Sequence, residues 1–159
     1  MATWQDIEKE IPELAARVLA IMGRNKHKTM ATLRRDGSPR ISGTEVEFEA
    51  GEVWIGSMPG AVKALDLCRD PRVAIHSASE EPDEANPGGW IGDAKLAGLA
   101  VEVTDPEVKA AHGATAERDF HLFRVDVREV VVTGVDEAGE HLVIEMWHEG
   151  AGHRVVRRR

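Results

Sequence analysis

Two hydrophobic periods divide the chain, helical before Gly23 and alternating after Lys28. Ile7, Ile11, Leu14, Val18 and Met22 recur at helical spacing, with Asp6, Glu8, Lys9, Glu13 and Arg17 between them. That pattern predicts an amphipathic helix from Thr3 to Met22, or two short ones, with one face laid across the rest of the fold. Thr3 is placed to cap the start and Gly23 to end it, while Pro12 kinks the helix or starts a fresh one. From Lys28, Met30, Thr32 and Arg34 alternate with Ala31 and Leu33, and Asp36-Gly37 followed by Pro39 marks a hairpin turn. In the second strand, Arg40 to Glu49, Thr44, Val46 and Phe48 share one face and Glu45, Glu47 and Glu49 the other. Ile41 falls on the acidic parity, so Gly43 is expected to carry a bulge that flips the register, or to leave room for a flat ring.

After the turn at Ala50-Gly51, Glu52 to Ile55 reads as a strand that runs into the turn Gly56 to Gly60. Ala61, Ala64, Leu65 and Cys68 then fall at helical spacing, and Asp70-Pro71 stops the helix before a strand from Arg72 to Ser77. Ala78 to Gly92, rich in Glu, Asp, Pro and Gly, reads as a surface loop. Trp90 within it either anchors the loop or closes over a pocket. Asp93 to Val103 is a further strand, and Pro106 opens a short helix to about Glu117. Phe120 to Thr133 is a long strand with Phe120, Leu122, Val125, Val127 and Val130 as candidate core. Beyond a turn at Glu137 to Glu140, His141 to Trp147 returns as a last strand.

At 159 residues with 42% hydrophobic and 30% charged residues, the chain is expected to fold as one domain with a real core. The net charge of −8 argues against a nucleic-acid partner. Arg157-Arg158-Arg159 is a local exception and reads as part of a solvated tail from 149 to 159. One cysteine forms no intrachain disulfide, and no leader or membrane-spanning apolar run is evident, so a cytoplasmic, membrane-free protein is expected.

The turn before the 61–69 helix carries the sharpest chemical signal. A turn entering a helix offers unpaired N–H groups and a partial positive charge, which suit an anion. Ser57 adds a hydroxyl there and Lys63 a cation. An ordinary connector helix with a surface lysine explains the same residues.

Ser57, Lys63-Ala64 and Asp70-Pro71-Arg72-Val73, preceded by Ala31-Thr32 and Asp36-Gly37-Ser38-Pro39, resemble the cofactor-binding blocks of the pyridoxamine 5'-phosphate oxidase-like split-barrel family. The likeness runs from about Lys28 to Val132. It implies a mainly β (α+β) fold, a six-stranded antiparallel split β-barrel over 28–148 with flanking helices, the first at 1–24. It also implies a homodimer with cofactor clefts between subunits, and an oxidoreductase that exchanges hydride between FMN or a deazaflavin (coenzyme F-420) and a small organic substrate. Ser57, the turn from Met58 to Gly60, and Lys63 would hold the phosphate; Ser42, Gly43 and Thr44 would line the ring. The departures are informative. Ser42, Glu47 and Val62 stand where the oxidases carry cations, and a carboxylate repels phosphate. Vitamin B6 oxidation is therefore not expected, and the deazaflavin is slightly preferred because its longer acidic tail can reach Arg69 or Arg72.

No residue stands out as a catalytic acid or base. His27, His76, His112, His121, His141, His148 and His153 show no closely spaced ligand pair, so no metal is expected. Cys68, on the apolar helix face, is expected to be buried and inert. Trp147 either packs at a strand end or walls a ring-binding cleft. The alternative to an enzyme is a non-catalytic carrier of a cofactor, or of haem with a histidine ligand.

Overall fold

The computed structural model describes residues 2–159. Pro12 splits the expected N-terminal helix into α1 (Trp4–Glu10) and α2 (Pro12–Gly23). Thr3 caps α1 in a reciprocal capping box with Asp6, and Pro12 takes the first position of α2, where its missing N–H costs nothing. Trp4, Ile7, Leu14, Val18 and Met22 are all buried, so this pair covers the inner face of the sheet.

The strands are β1 (His27–Leu33), β2 (Pro39–Glu45), β3 (Glu47–Glu49), β4 (Glu52–Ser57), β5 (Arg72–His76), β6 (Asp93–Glu102), β7 (His121–Val135), β8 (Leu142–His148) and β9 (Gly152–Arg158). Helix α3 (Val62–Arg69) links β4 to β5, and α4 (Pro106–Ala111) lies between β6 and β7. All pairings are antiparallel, in the order β2-β1-β5-β6-β7-β4-β3, with β8 and β9 extending from β7. The ends of this ladder, β2 and β3, are consecutive in the chain and parted at Val46, and among the described residues no ladder joins them. The sheet curls without closing. Among the described residues the strands number nine rather than six.

Several expectations are corrected. The pairing of β1 with β2 is regular from His27↔Glu45 to Leu33↔Pro39, so Gly43 carries no bulge, and Ile41 stays outside, 76% exposed. The register shift lies instead between Ala97 and Gly98, whose partners jump from Glu129 to Val127 and leave Arg128 as the extra residue. Helix α4 ends at Ala111, six residues short of Glu117, because Gly113 turns left-handed at φ 91°. Residues 152–158 are not a tail but an edge strand paired along its length with β8. Trp147 is buried, with its indole N–H on Glu10 Oε1 at 2.8 Å, and so packs rather than walls a cleft. Trp90 donates to Glu80 O at 2.7 Å, which ties the 78–92 loop to itself. Among the described residues no helix is long and apolar enough to cross a membrane.

Candidate functional site

Strand β4 delivers Ser57 to the edge of a groove of about 680 Å³ between β2, the β4–α3 turn and the segment leading into β7. Alternation along β4 buries Val53 and Ile55 and turns Ser57 inward, and its hydroxyl is buried with no hydrogen-bond partner. An unanswered buried hydroxyl is costly and marks a place for a ligand atom or a water. The chain then turns through Gly60, left-handed at φ 70°, with Ala61 N–H on Met58 O at 3.1 Å. No side chain caps the start of α3, so its first amides stay available to an anion. Lys63 reaches across the groove and donates to Gly43 O at 2.6 Å.

Of the seven residues expected to hold a cofactor, Gly43, Thr44, Ser57, Met58 and Lys63 line this groove. Ser42 and Gly60 do not; Ser42 sits opposite the fully buried Met30, and Gly60 faces His121. Side chains added at Gly43 or Gly56 would meet nothing within 4 Å, so the strand surface between them is open to a flat group. Arg69 and Arg72, expected to reach a longer acidic tail, are not in the groove: Arg69 pairs with Asp66 and Arg72 with Asp70. Arg118 lines it instead. Nothing in the sequence distinguished Arg118, because it enters from the irregular segment after α4. Toward the β3 end the lining is acidic and aromatic, with Glu45, Glu47 and Trp54, and the His112 ring lies 4.4 Å from that of Trp54. Phosphate fits the Ser57–Lys63 end and not the Glu47 end.

Helix α3 is rotated from its expected pose. Ala64, Leu67 and Asp66 are buried, while Leu65 and Cys68 are exposed. The cause is Asp66, which accepts from Thr32 Oγ1 at 2.9 Å, Arg40 Nε at 2.6 Å and Arg69 Nη2 at 2.9 Å. Burial alone would raise its pKa, but the bonds from Arg40, Arg69 and Thr32 outweigh that and lower it to about 2. With Asp66 turned in, Cys68 swings out to Glu102, its Sγ 3.3 Å from Oε2. Desolvation, then Glu102, raises the Cys68 pKa. His121 Nδ1 lies 2.6 Å from Glu102 Oε1, and this bond lowers the Glu102 pKa. His121 Nε2 accepts from Gly60 N–H at 3.3 Å, which puts the ring proton on Nδ1. Among the described residues two groups of metal-type side chains thus come together: Cys68, Glu102 and His121, from three distant stretches, and Glu47, Glu49 and His112.

No protein-family model and no curated protein matches the chain. Solved structures do. A provisionally named pyridoxamine 5'-phosphate oxidase from Listeria innocua superposes with a TM-score of 0.59 at 16% identity, over 76% of this chain and 98% of that one. PhzG from Burkholderia lata, in complex with tetrahydrophenazine-1-carboxylic acid, gives 0.62 at 13% identity, over 98% and 93%. A haem-binding protein from Mycobacterium smegmatis gives 0.57 at 16% identity, over 92% and 88%. The chain has the pyridoxamine 5'-phosphate oxidase-like split-barrel fold. At such identities the likeness concerns the fold alone. Split barrels with this topology carry unlike ligands, as the haem of one neighbour and the phenazine of another illustrate. The choice for this split barrel rests on its own groove.

Proposed function

We propose that the groove binds a flavin or deazaflavin by its phosphate, and that the protein is an oxidoreductase acting on a small organic molecule. The observation that carries this reading is the buried, unpartnered Ser57 hydroxyl beside Lys63 and the uncapped start of α3. Ser57, Lys63 and the amides in the first turn of α3 would hold the phosphate, since Pro59 has no N–H and those of Gly60 and Ala61 are taken by His121 and Met58 O. Thr44 and the open backbone at Gly43 and Gly56 would lie along the ring. The cofactor supplies hydride chemistry when bound; the chain orients it and shields it from water. Deazaflavin is favoured over FMN, because one lysine stands at the anion end and Arg118 is available to a longer acidic tail. A homodimer whose two chains each complete the other's open groove is part of this proposal.

Titration of the purified protein with FMN, deazaflavin and haem separately, followed by absorbance and calorimetry, tests it. Lys63→Ala removes a charge-assisted contact of about 1.5–3 kcal/mol, so cofactor affinity falls about ten- to a hundredfold. Less than a twofold loss at unchanged thermal stability moves the phosphate elsewhere. Tighter binding of FMN reverses the preference. Haem is the second reading, supported by His27 and His112 on the groove wall. Saturable haem binding that His112→Ala abolishes, with no flavin binding, would replace the first reading with it.

A further inference from the structure

Cys68, Glu102 and His121 are outside the groove lining and have no part in the proposed cofactor chemistry. They come from α3, the end of β6 and the start of β7, and one ligand atom of each lies within 4.8 Å of the others. We propose that this trio is a binding site for a divalent metal ion of the zinc class, with a fourth position open to water.

Glu102 bridges the other two. One of its oxygens takes the Cys68 thiol and the other takes His121 Nδ1–H, at 3.3 and 2.6 Å. Two hydrogens thus occupy the space where a cation would sit, and a metal replaces both. Zinc–sulfur and zinc–nitrogen or –oxygen bonds are about 2.3 and 2.0–2.2 Å long, so tetrahedral ligand atoms stand about 3–4 Å apart. Small side-chain rotations meet that spacing. One sulfur, one nitrogen and one carboxylate suit zinc and its neighbours and do not suit magnesium or calcium, which take oxygen. The site is also reachable, since Cys68 is exposed and the side chains of Glu102 and His121 are 33% and 21% exposed. Lys109, which acts electrostatically on Glu102, opposes a cation, but its amine is held by Asp119.

The proton balance is specific. Cys68 loses its thiol proton to solvent as the sulfur–metal bond forms, and carboxylate Glu102 loses none. The imidazole stays neutral, but its proton moves from Nδ1, now bound to metal, to Nε2. There it can no longer accept from Gly60 N–H, so occupancy of the metal site frees that turn amide.

Tag-free full-length protein titrated with cobalt(II) is expected to bind one ion per chain, with a near-ultraviolet sulfur-to-cobalt charge-transfer band that zinc displaces. Zinc affinity should rise about tenfold per pH unit near neutrality, as one proton is released. Cys68→Ser should abolish the band and weaken zinc at least tenfold, and His121→Gln should weaken zinc similarly. Glu49→Gln, in the other cluster, should change neither. Cys68 is exposed, so its variant is expected to keep the parent circular dichroism. Absence of the band at saturating cobalt overturns the proposal. So does equal zinc affinity in the parent and Cys68→Ser, which would assign the ion to Glu47, Glu49 and His112.

Discussion

Asp66 shows how one carboxylate sets the pose of a helix. Its side chain is 3% exposed and is held by Thr32, Arg40 and Arg69. The folded pKa, about 2, lies below the ordinary 3.8, so the group stabilises the fold above about pH 4 and loses this contribution as pH falls toward 2. Both arginines touch solvent, so the contribution is about 1–2 kcal/mol after screening. Asp66→Asn is expected to lower the urea midpoint at pH 7, with the gap to the parent shrinking between pH 4 and 2; an unchanged gap at low pH would assign the loss to packing. In the sequence, Ser57 and Lys63 were legible because turn chemistry and helix entry are local. Asp66 was not. Two of its three partners lie 34 and 26 residues away on β1 and β2, and no helical period places a carboxylate inside. The same rotation put Cys68 outside and formed the trio with Glu102 and His121 unseen.

Gly98 governs the longest pairing in the sheet. A Cβ there would lie 2.1 Å from Asp126 O and 3.2 Å from Val127 Cα, both backbone, so neither β6 nor β7 can yield without moving. The shift also turns Val127 N–H to Ala2 O at 3.1 Å, which ties the start of the chain to the bulge. Gly98→Ala should cost about 1–3 kcal/mol in thermal or urea unfolding. Gly134→Ala, where a Cβ meets nothing, should stay within about 0.5 kcal/mol. Equal effects would mean that the close approach does not matter. Elements with strong internal periods, namely the two N-terminal helices, the first hairpin, β6 and β7, were readable from the sequence. β9 was not, because an edge strand needs main-chain pairing and little burial. Its arginines, read as a solvated tail, are the charged guard that such an edge commonly carries.

For the molecule as a whole, the open groove and the exposed Met58, Val62 and Leu65 beside it are what the dimer proposal has to explain. Sedimentation at micromolar concentration is expected to give twice 17.4 kDa, and Leu65→Glu to shift it toward monomer. A parent that stays at 17.4 kDa while binding cofactor would show that one chain's groove suffices. The split-barrel architecture was legible from two short blocks of sequence. The strand count was not, because Val46 interrupts what alternation presents as one strand from Arg40 to Glu49 and because β9 reads as a tail.

The bond from Lys63 Nζ to Gly43 O has a consequence for any anion that enters. The ammonium has three donors, and one of them is already engaged by the chain. An incoming phosphate can take a second while the first holds strand β2, so the cation arrives oriented and has little side-chain freedom left to lose. Sharing of the amine also makes β2 a reporter. A phosphate that draws the cation weakens its hold on the Gly43 carbonyl, and the neighbouring amides should register the occupancy of a site to which they make no contact.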